Sequence, residues 1–208
     1  MSSGVTQAIH LLKQENIQLK ERLQAAEDEN KALQSYLKGI SALHKATLHI
    51  VKHDNLLKLL DEILYQALVV LNADYGSLLL VDEEREELVF VLVHGDLREK
   101  LEGYRIHWHK GIAGAAVKHR EPLVINHVRY DPRFSAEIDE RFGTQSHKIL
   151  AVPMIANNRV IGVLELINKR DGSDFTSSDV TIISLLALFA AISLEQLDRK
   201  MERAETAS

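Results

Sequence analysis

The sequence predicts an α+β domain: an antiparallel sheet with its long helices gathered on one face, preceded by a coiled-coil helix. Three observations carry this. The first fifty or so residues keep a heptad stripe, the period then changes to short apolar segments that read as two hairpins within 77–167, and an apolar run from Val180 to Leu194 reads as a packed helix.

The heptad comes first. With Ile9, Asn16, Leu23, Asn30 and Leu37 at position a, position d holds Val5, Leu12, Leu19, Ala26, Leu33 and Ile40. A stripe this narrow requires a second helix to cover it. Asparagine at a costs stability but pairs with its copy across a two-stranded parallel interface, which sets register and stoichiometry. Glu15 would face Lys20 of a partner, and Arg22 would face Glu27, both attractive in a parallel, in-register pair. Asn16, Asn30, Leu12, Leu19, Leu23, Leu33 and Leu37 are therefore the expected dimerisation residues. Beyond Ile40 the seam degrades to His44 and Thr47.

Asp54 is the expected cap of a second amphipathic helix carrying Leu56, Leu59, Leu60, Ile63, Leu64, Ala67 and Leu71. With no glycine- or proline-rich linker between them, the two helices should be joined stiffly. Ser77 to Val81 and Leu88 to His94 read as a hairpin, and Tyr104 to Trp108 as a short extended segment. Gly111 opens a short helix to His119, and Pro122 to Ile125 is a strand. Asp131 followed by Pro132 predicts a helix start, with the helix running to about Gly143. Ile149 to Ile155 and Arg159 to Ile167 flank Asn157 and Asn158, residues suited to the positive φ of a tight hairpin turn. A long helix follows from about Ser177 to Arg203. The division expected is a coiled-coil dimerisation helix at 1–53, the globular domain at 54–197, and a continuation of the exit helix at 198–208.

Composition narrows the chemistry. The chain has 208 residues, net charge −5 and no cysteine. Disulfides, cysteine-held metals and thiol catalysis are excluded. No basic stripe exists for nucleic acid to read. The Val180–Leu194 run is short for a bilayer and carries Thr and Ser, so it is expected to pack as a core helix rather than to enter a membrane. A cytoplasmic protein is expected, with no leader pattern at its start.

Five motifs occur in order: Gly111-Ile-Ala-Gly114, Asp131-Pro-Arg-Phe134, Ile149-Leu-Ala-Val-Pro153, Arg159-Val-Ile-Gly-Val163, and Asn168-Lys169 followed by Phe175 and Asp179. Together they resemble the GAF domains, most closely those regulating cyclic-nucleotide phosphodiesterases and adenylyl cyclases, over about residues 54 to 197. In the last motif Val180 stands where the family signature has glutamate. The resemblance implies a structural role for Asn168, Lys169, Phe175 and Asp179, with an ion pair between Lys169 and Asp179. It implies a ligand pocket lined by Ser77, Ile112, Ala113, Asp139, Ser146 and Glu165. His94, Ser135 and Phe142 occupy pocket positions where nucleotide-binding members carry aspartate, tyrosine and threonine, and Val93 replaces a phenylalanine. Aromatic contact with a base would then fall to Phe142 or Tyr130. Backbone amides at Ile112 and Ala113 would suit a cyclic phosphate. Glu165 is informative without the family, because a lone carboxylate on an apolar strand needs a donor or water.

Plainer readings stand beside these. Glu137, Asp139 and Glu140 together can be the wet face of a helix. His107 and His109 share a strand face, yet no third ligand stands at a convincing spacing, so no metal is expected. His44, His49 and His53 can sense pH at the zipper's end or simply face solvent. No nucleophile sits in a recognisable elbow, and family members that reduce free methionine sulfoxide need cysteines, so no enzyme activity is expected. The expected function is a dimeric sensor, a parallel homodimer that binds a small molecule and signals to an output domain or partner. Cyclic AMP or cyclic GMP is the candidate ligand, with no covalent cofactor. The alternatives are a ligandless dimerisation platform and a haem- or metal-based sensor.

Overall fold

The computed structural model describes residues 2–50 and 56–206, with side chains described for residue 10, residues 12–34 and 36–42, and residues 56–199. Helix α1 (Ser2–Ile50) and helix α2 (Leu56–Leu71) lead into the hairpin β1 (Ala73–Asp82) and β2 (Glu87–His94). A short α3 (Arg98–Leu101), β3 (Arg105–His107), α4 (Gly111–His119) and β4 (Leu123–Ile125) follow. A 3-10 turn at Val128–Tyr130 and α5 (Glu137–Phe142) precede the hairpin β5 (Ile149–Ala156) and β6 (Arg159–Lys169), and α6 (Ser177–Thr206) closes the chain. The expected cap at Asp54 and the seam positions Val5 and Ile9 lie outside the described side chains, as do His44, Thr47, His49 and His53.

The six strands form one antiparallel sheet in the order β3-β2-β1-β6-β5-β4. Its two faces differ because the strands alternate. Leu92, Leu78, Leu164 and Val152 are direct cross-strand neighbours and form one buried row. That row packs with Leu60, Ile63 and Leu64 of α2 and with Ile183, Leu186 and Ala190 of α6. One residue along each strand, Val93, Ser77, Glu165 and Ala151 are likewise aligned, and they face the other way. This second face is covered by α3, α4 and the 134–146 segment, whose apolar residues join Leu79, Phe90 and Val163 in a separate core. The helices are thus not all on one face: the long ones are, and the short ones roof the other side.

Helix α6 is apolar and long enough over Ser177–Arg199 to cross a bilayer by composition. Its apolar side packs instead on the sheet, with Ile183, Leu186 and Ala190 fully buried. The end of α1 docks on α6 through small residues. Ala42 is 2% exposed, and a Cβ on Gly39 would come within 2.8 Å of Leu185 Cδ1.

The tight turn at Asn157 and Asn158 has the expected positive φ, 44° and 62°. The helix expected from Asp131 does not start there. Asp131 Oδ1 accepts the backbone N–H of Arg133 at 2.9 Å, and the Arg133 guanidinium clamps both carboxylate oxygens at 2.8 and 2.6 Å. This closes a local Asx-type turn, so helical geometry begins only at Glu137. The expected end at Gly143 stands, with φ 72° in the left-handed region.

Candidate functional site

The roofed face of the sheet encloses a cavity with about 90 Å³ open to the centre of a water-sized sphere. One water needs about 10–15 Å³ on that measure, so the space suits a small molecule or several waters. Ser77 of β1 and Glu165 of β6 form part of the floor, Ile112 and Ala113 at the start of α4 form a wall, and Ser135, Asp139 and Ser146 come from the roof. His94 closes the end of β2. Of the pocket positions expected from the sequence, all but Phe142 border this cavity.

Glu165 is the outstanding group. It is 8% exposed and has no hydrogen-bond partner among the described residues, although it borders the cavity. Burial, and secondarily the charge of Asp139, push its carboxyl up to about 7. Near neutral pH it can therefore accept a hydrogen bond as a carboxylate or donate one as an acid.

Asp139 is held differently. It is 5% exposed and accepts from Arg129 Nη2 at 2.5 Å, Thr144 Oγ1 at 3.2 Å, the Ser146 amide at 2.8 Å and Ser146 Oγ at 2.8 Å. It is neither a wet-face residue nor an unengaged acid. Its carboxylate ties α5 to the strand-ward segment and shapes the roof. Asn168, at positive φ, supports the same segment from below, accepting from the amides of His147 and Lys148 at 2.9 and 3.1 Å and donating to the Gln145 carbonyl at 2.9 Å.

His94 Nε2 lies 2.8 Å from Asp61 Oδ1 of α2. A carboxylate only accepts, so Nε2 carries the proton, which leaves Nδ1 as the acceptor when the ring is neutral. This contact links the cavity wall to the helical layer. At the far end of β6, Lys169 Nζ meets Asp179 Oδ2 at 2.7 Å, with both side chains nearly buried. Asp179 Oδ2 also accepts from the Thr176 amide at 2.8 Å, while Thr176 Oγ1 takes the Asp179 amide at 3.3 Å. That reciprocal pair caps α6. Phe175 is fixed by its backbone, whose N–H donates to Asn126 Oδ1 and whose carbonyl accepts from Asn126 Nδ2, and its ring lies 5.5 Å from Lys169 Nζ.

Neither ring expected to meet a base lines the cavity: Phe142 packs edge-on against Tyr104 with centroids 5.7 Å apart, and Tyr130 is 89% exposed. The rings that do border the cavity belong to Tyr75, Phe90 and Phe134. Lys110 and Glu137 also line it and form an ion pair. Lys110 was legible in principle, since it directly precedes the glycine that opens α4, whereas its pairing with a residue on another helix required the tertiary fold. His107 and His109 lie with their rings 5.6 Å apart, and the His109 amide donates to His107 Nδ1 at 3.3 Å.

The fold is a six-stranded antiparallel sheet with long helices on one face and short helices over a cavity on the other. The GAF domain family model matches residues 55–194, and the chain belongs to that family of small-molecule-binding regulatory modules. A probable 3',5'-cyclic phosphodiesterase, pde-5, of Caenorhabditis elegans is 33% identical over 147 residues, covering 65% of this chain and 20% of the relative. The dual 3',5'-cyclic-AMP and -GMP phosphodiesterase 11 of Drosophila melanogaster is 33% identical over 150 residues, covering 65% of this chain and 10% of the relative. The chain thus spans a fifth or less of these relatives' lengths. Among solved structures, the GAF domain of a Coxiella burnetii phosphoenolpyruvate-protein phosphotransferase superposes with TM-score 0.71 at 21% identity, covering 80% of this chain and 98% of the other. The free methionine-R-sulfoxide reductase of Neisseria meningitidis does so with TM-score 0.63 at 20% identity, covering 78% and 90%. These two similarities show the shared fold.

Proposed function

We propose that this chain is a dimeric cytoplasmic sensor whose cavity takes a small molecule presenting hydrogen-bond donors to Glu165. Cyclic AMP and cyclic GMP are the first candidates. The observation that carries this reading is the Glu165 side chain on the cavity floor, 8% exposed, whose carboxyl opens on the cavity and makes no hydrogen bond to the described residues. Such a group is costly to bury without a partner, and a purine edge supplies one. The names of the phosphodiesterase relatives support the same ligand class. The cavity residues act by binding alone, with no catalytic step assigned to them.

The output route is short. Strand β6 carries Glu165, and its end is pinned to the first turn of α6 by Lys169 and Asp179. Helix α6 in turn holds α1 through Gly39 and Ala42. A ligand that binds one roof position better than another biases the packing of these helices, and it is the difference in affinity that does so.

Dimerisation through α1 fits this arrangement. Leu12, Leu19, Leu23, Leu33, Leu37 and Ile40 are 53–60% exposed within one chain. Gly39 and Ala42 fall at heptad positions c and f, opposite the seam, so docking on α6 leaves positions a and d uncovered. Covering each exposed leucine in a parallel partner contributes about 2 kcal/mol. An output domain or a separate partner would read the resulting change in the exit helices. The same exposed seam favours a second reading, a ligandless GAF platform for dimerisation.

Mass spectrometry of the purified protein and a thermal-shift series with cyclic AMP and cyclic GMP separate the two. The sensor reading expects a raised melting temperature with at least one nucleotide, and weaker binding in Glu165→Ala with the dimer intact. Equal affinity in variant and parent would remove Glu165 from the site.

A further inference from the structure

Two charged groups on the cavity's border play no part in the reading above. Lys110 holds the N-cap position of the nine-residue α4 without a capping side-chain bond, and Lys110, Gly111, Ile112 and Ala113 at this helix start all line the cavity. Its position is fixed by the loop. Gly111 sits at φ +72°, and a Cβ on Gly114 would come within 2.6 Å of the His109 backbone carbon. The Lys110 ammonium pairs with Glu137 Oε2, while Glu137 Oε1 accepts from Tyr104 Oη at 3.2 Å. Arg141 Nη1 donates to the same Tyr104 oxygen at 3.2 Å. Glu137 is the first residue of the roof helix α5, so this pair ties the roof to the wall.

We propose that Lys110 selects anionic ligands at this cavity and that Glu137 is the internal anion they displace. The inference rests on the reading that the cavity takes a small molecule, and it adds a charge requirement and a moving part. Three features favour exchange. Both side chains are partly exposed, 43% and 40%, so their pairing is of the weak kind. Glu137 keeps Tyr104 after Lys110 leaves it. A bound anion could also take hydrogen bonds from the first α4 amides, to which the Glu137 carboxylate makes none. Independently of the helix start, Glu165, 8% exposed and with a carboxyl that opens on the cavity without a hydrogen-bond partner among the described residues, marks the same cavity as a ligand site. A ligand with an anionic end at Lys110 and a donor edge at Glu165 satisfies the rim and the floor together, and its arrival frees α5 from the α4 wall.

The test compares anionic probes with neutral ones. Pyrophosphate, cyclic AMP and cyclic GMP serve as anionic probes, and adenosine and guanosine as neutral ones. Binding is read by calorimetry and by fluorescence of Trp108, the chain's single tryptophan. Glu137→Gln is expected to tighten an anionic probe about two- to fivefold, the scale of one exposed ion pair. Lys110→Gln should weaken it by a similar factor, Lys110→Arg should restore it, and the neutral probes should not respond. Equal effects on charged and neutral probes overturn the proposal, as does the failure of every anionic probe to bind either the parent or Glu137→Gln. Pyrophosphate binding that responds to both substitutions, with no cyclic nucleotide bound, supports this inference while removing the cyclic-nucleotide reading.

Discussion

Replacing Glu165 with glutamine keeps the shape of the cavity floor and removes its titration. In the folded chain the carboxyl is raised from 4.5 to about 7, chiefly by burial and then by Asp139. Below pH 4.5 it is neutral in both folded and unfolded chains and contributes no pH dependence. Between 4.5 and 7 the unfolded chain ionises first, so stability falls as pH rises. Above about 7 both states are ionised and the full loss is present. At 1.36 kcal/mol per pH unit the loss is about 3 kcal/mol. Glu165→Gln should therefore be more favourable relative to the parent at pH 8 than at pH 4.5 by about that amount. For a chain of this size the difference is about 6–12 °C in melting temperature. Urea denaturation of both proteins at the two pH values measures it directly. An identical stability difference at pH 4.5 and pH 8 would refute the account of Glu165 as a desolvated acid.

Asp179→Ala removes both the near-buried partner of Lys169 and the reciprocal cap of α6, and should cost about 3–5 kcal/mol in chemical denaturation. Gly162→Ala places a Cβ 2.2 Å from the Leu79 carbonyl oxygen and 2.5 Å from Met154 Cε; the strands must part, and a loss of about 1–3 kcal/mol or more is expected by thermal unfolding. Asn16→Val together with Asn30→Val should stabilise α1 and shift the assembly toward trimers in sedimentation velocity; an unchanged dimer would assign stoichiometry to the globular domain instead.

The sheet was legible because its strands obey local rules. Short apolar runs at 77–81, 88–94 and 159–167, bounded by the charged turn at 83–86 and the paired asparagines at 157–158, encode hairpins without reference to the rest of the chain. Helix α4 was legible from its glycines, and α6 from its apolar run. Asp131 misled because the same aspartate–proline pair suits a helix cap or a local turn, and Arg133, two residues on, decides for the turn. Asp139 looked like one carboxylate among three. Its burial depends on Arg129, Thr144 and Ser146, which converge on it only in the folded roof. The ring positions failed for a similar reason. Phe142 follows the roof helix around to Tyr104, and the vacated contact surface is supplied by residues from β1, β2 and the 134 turn.

Strand β6 is a partition whose two surfaces obey different rules. Leu164 and Leu166 are locked into the dry helical layer, while Glu165 between them looks into the chamber. On the chamber side, Glu165 can be exchanged without disturbing the packing of either leucine. Any push that a guest exerts on that partition arrives one peptide bond later against the helices that would report it.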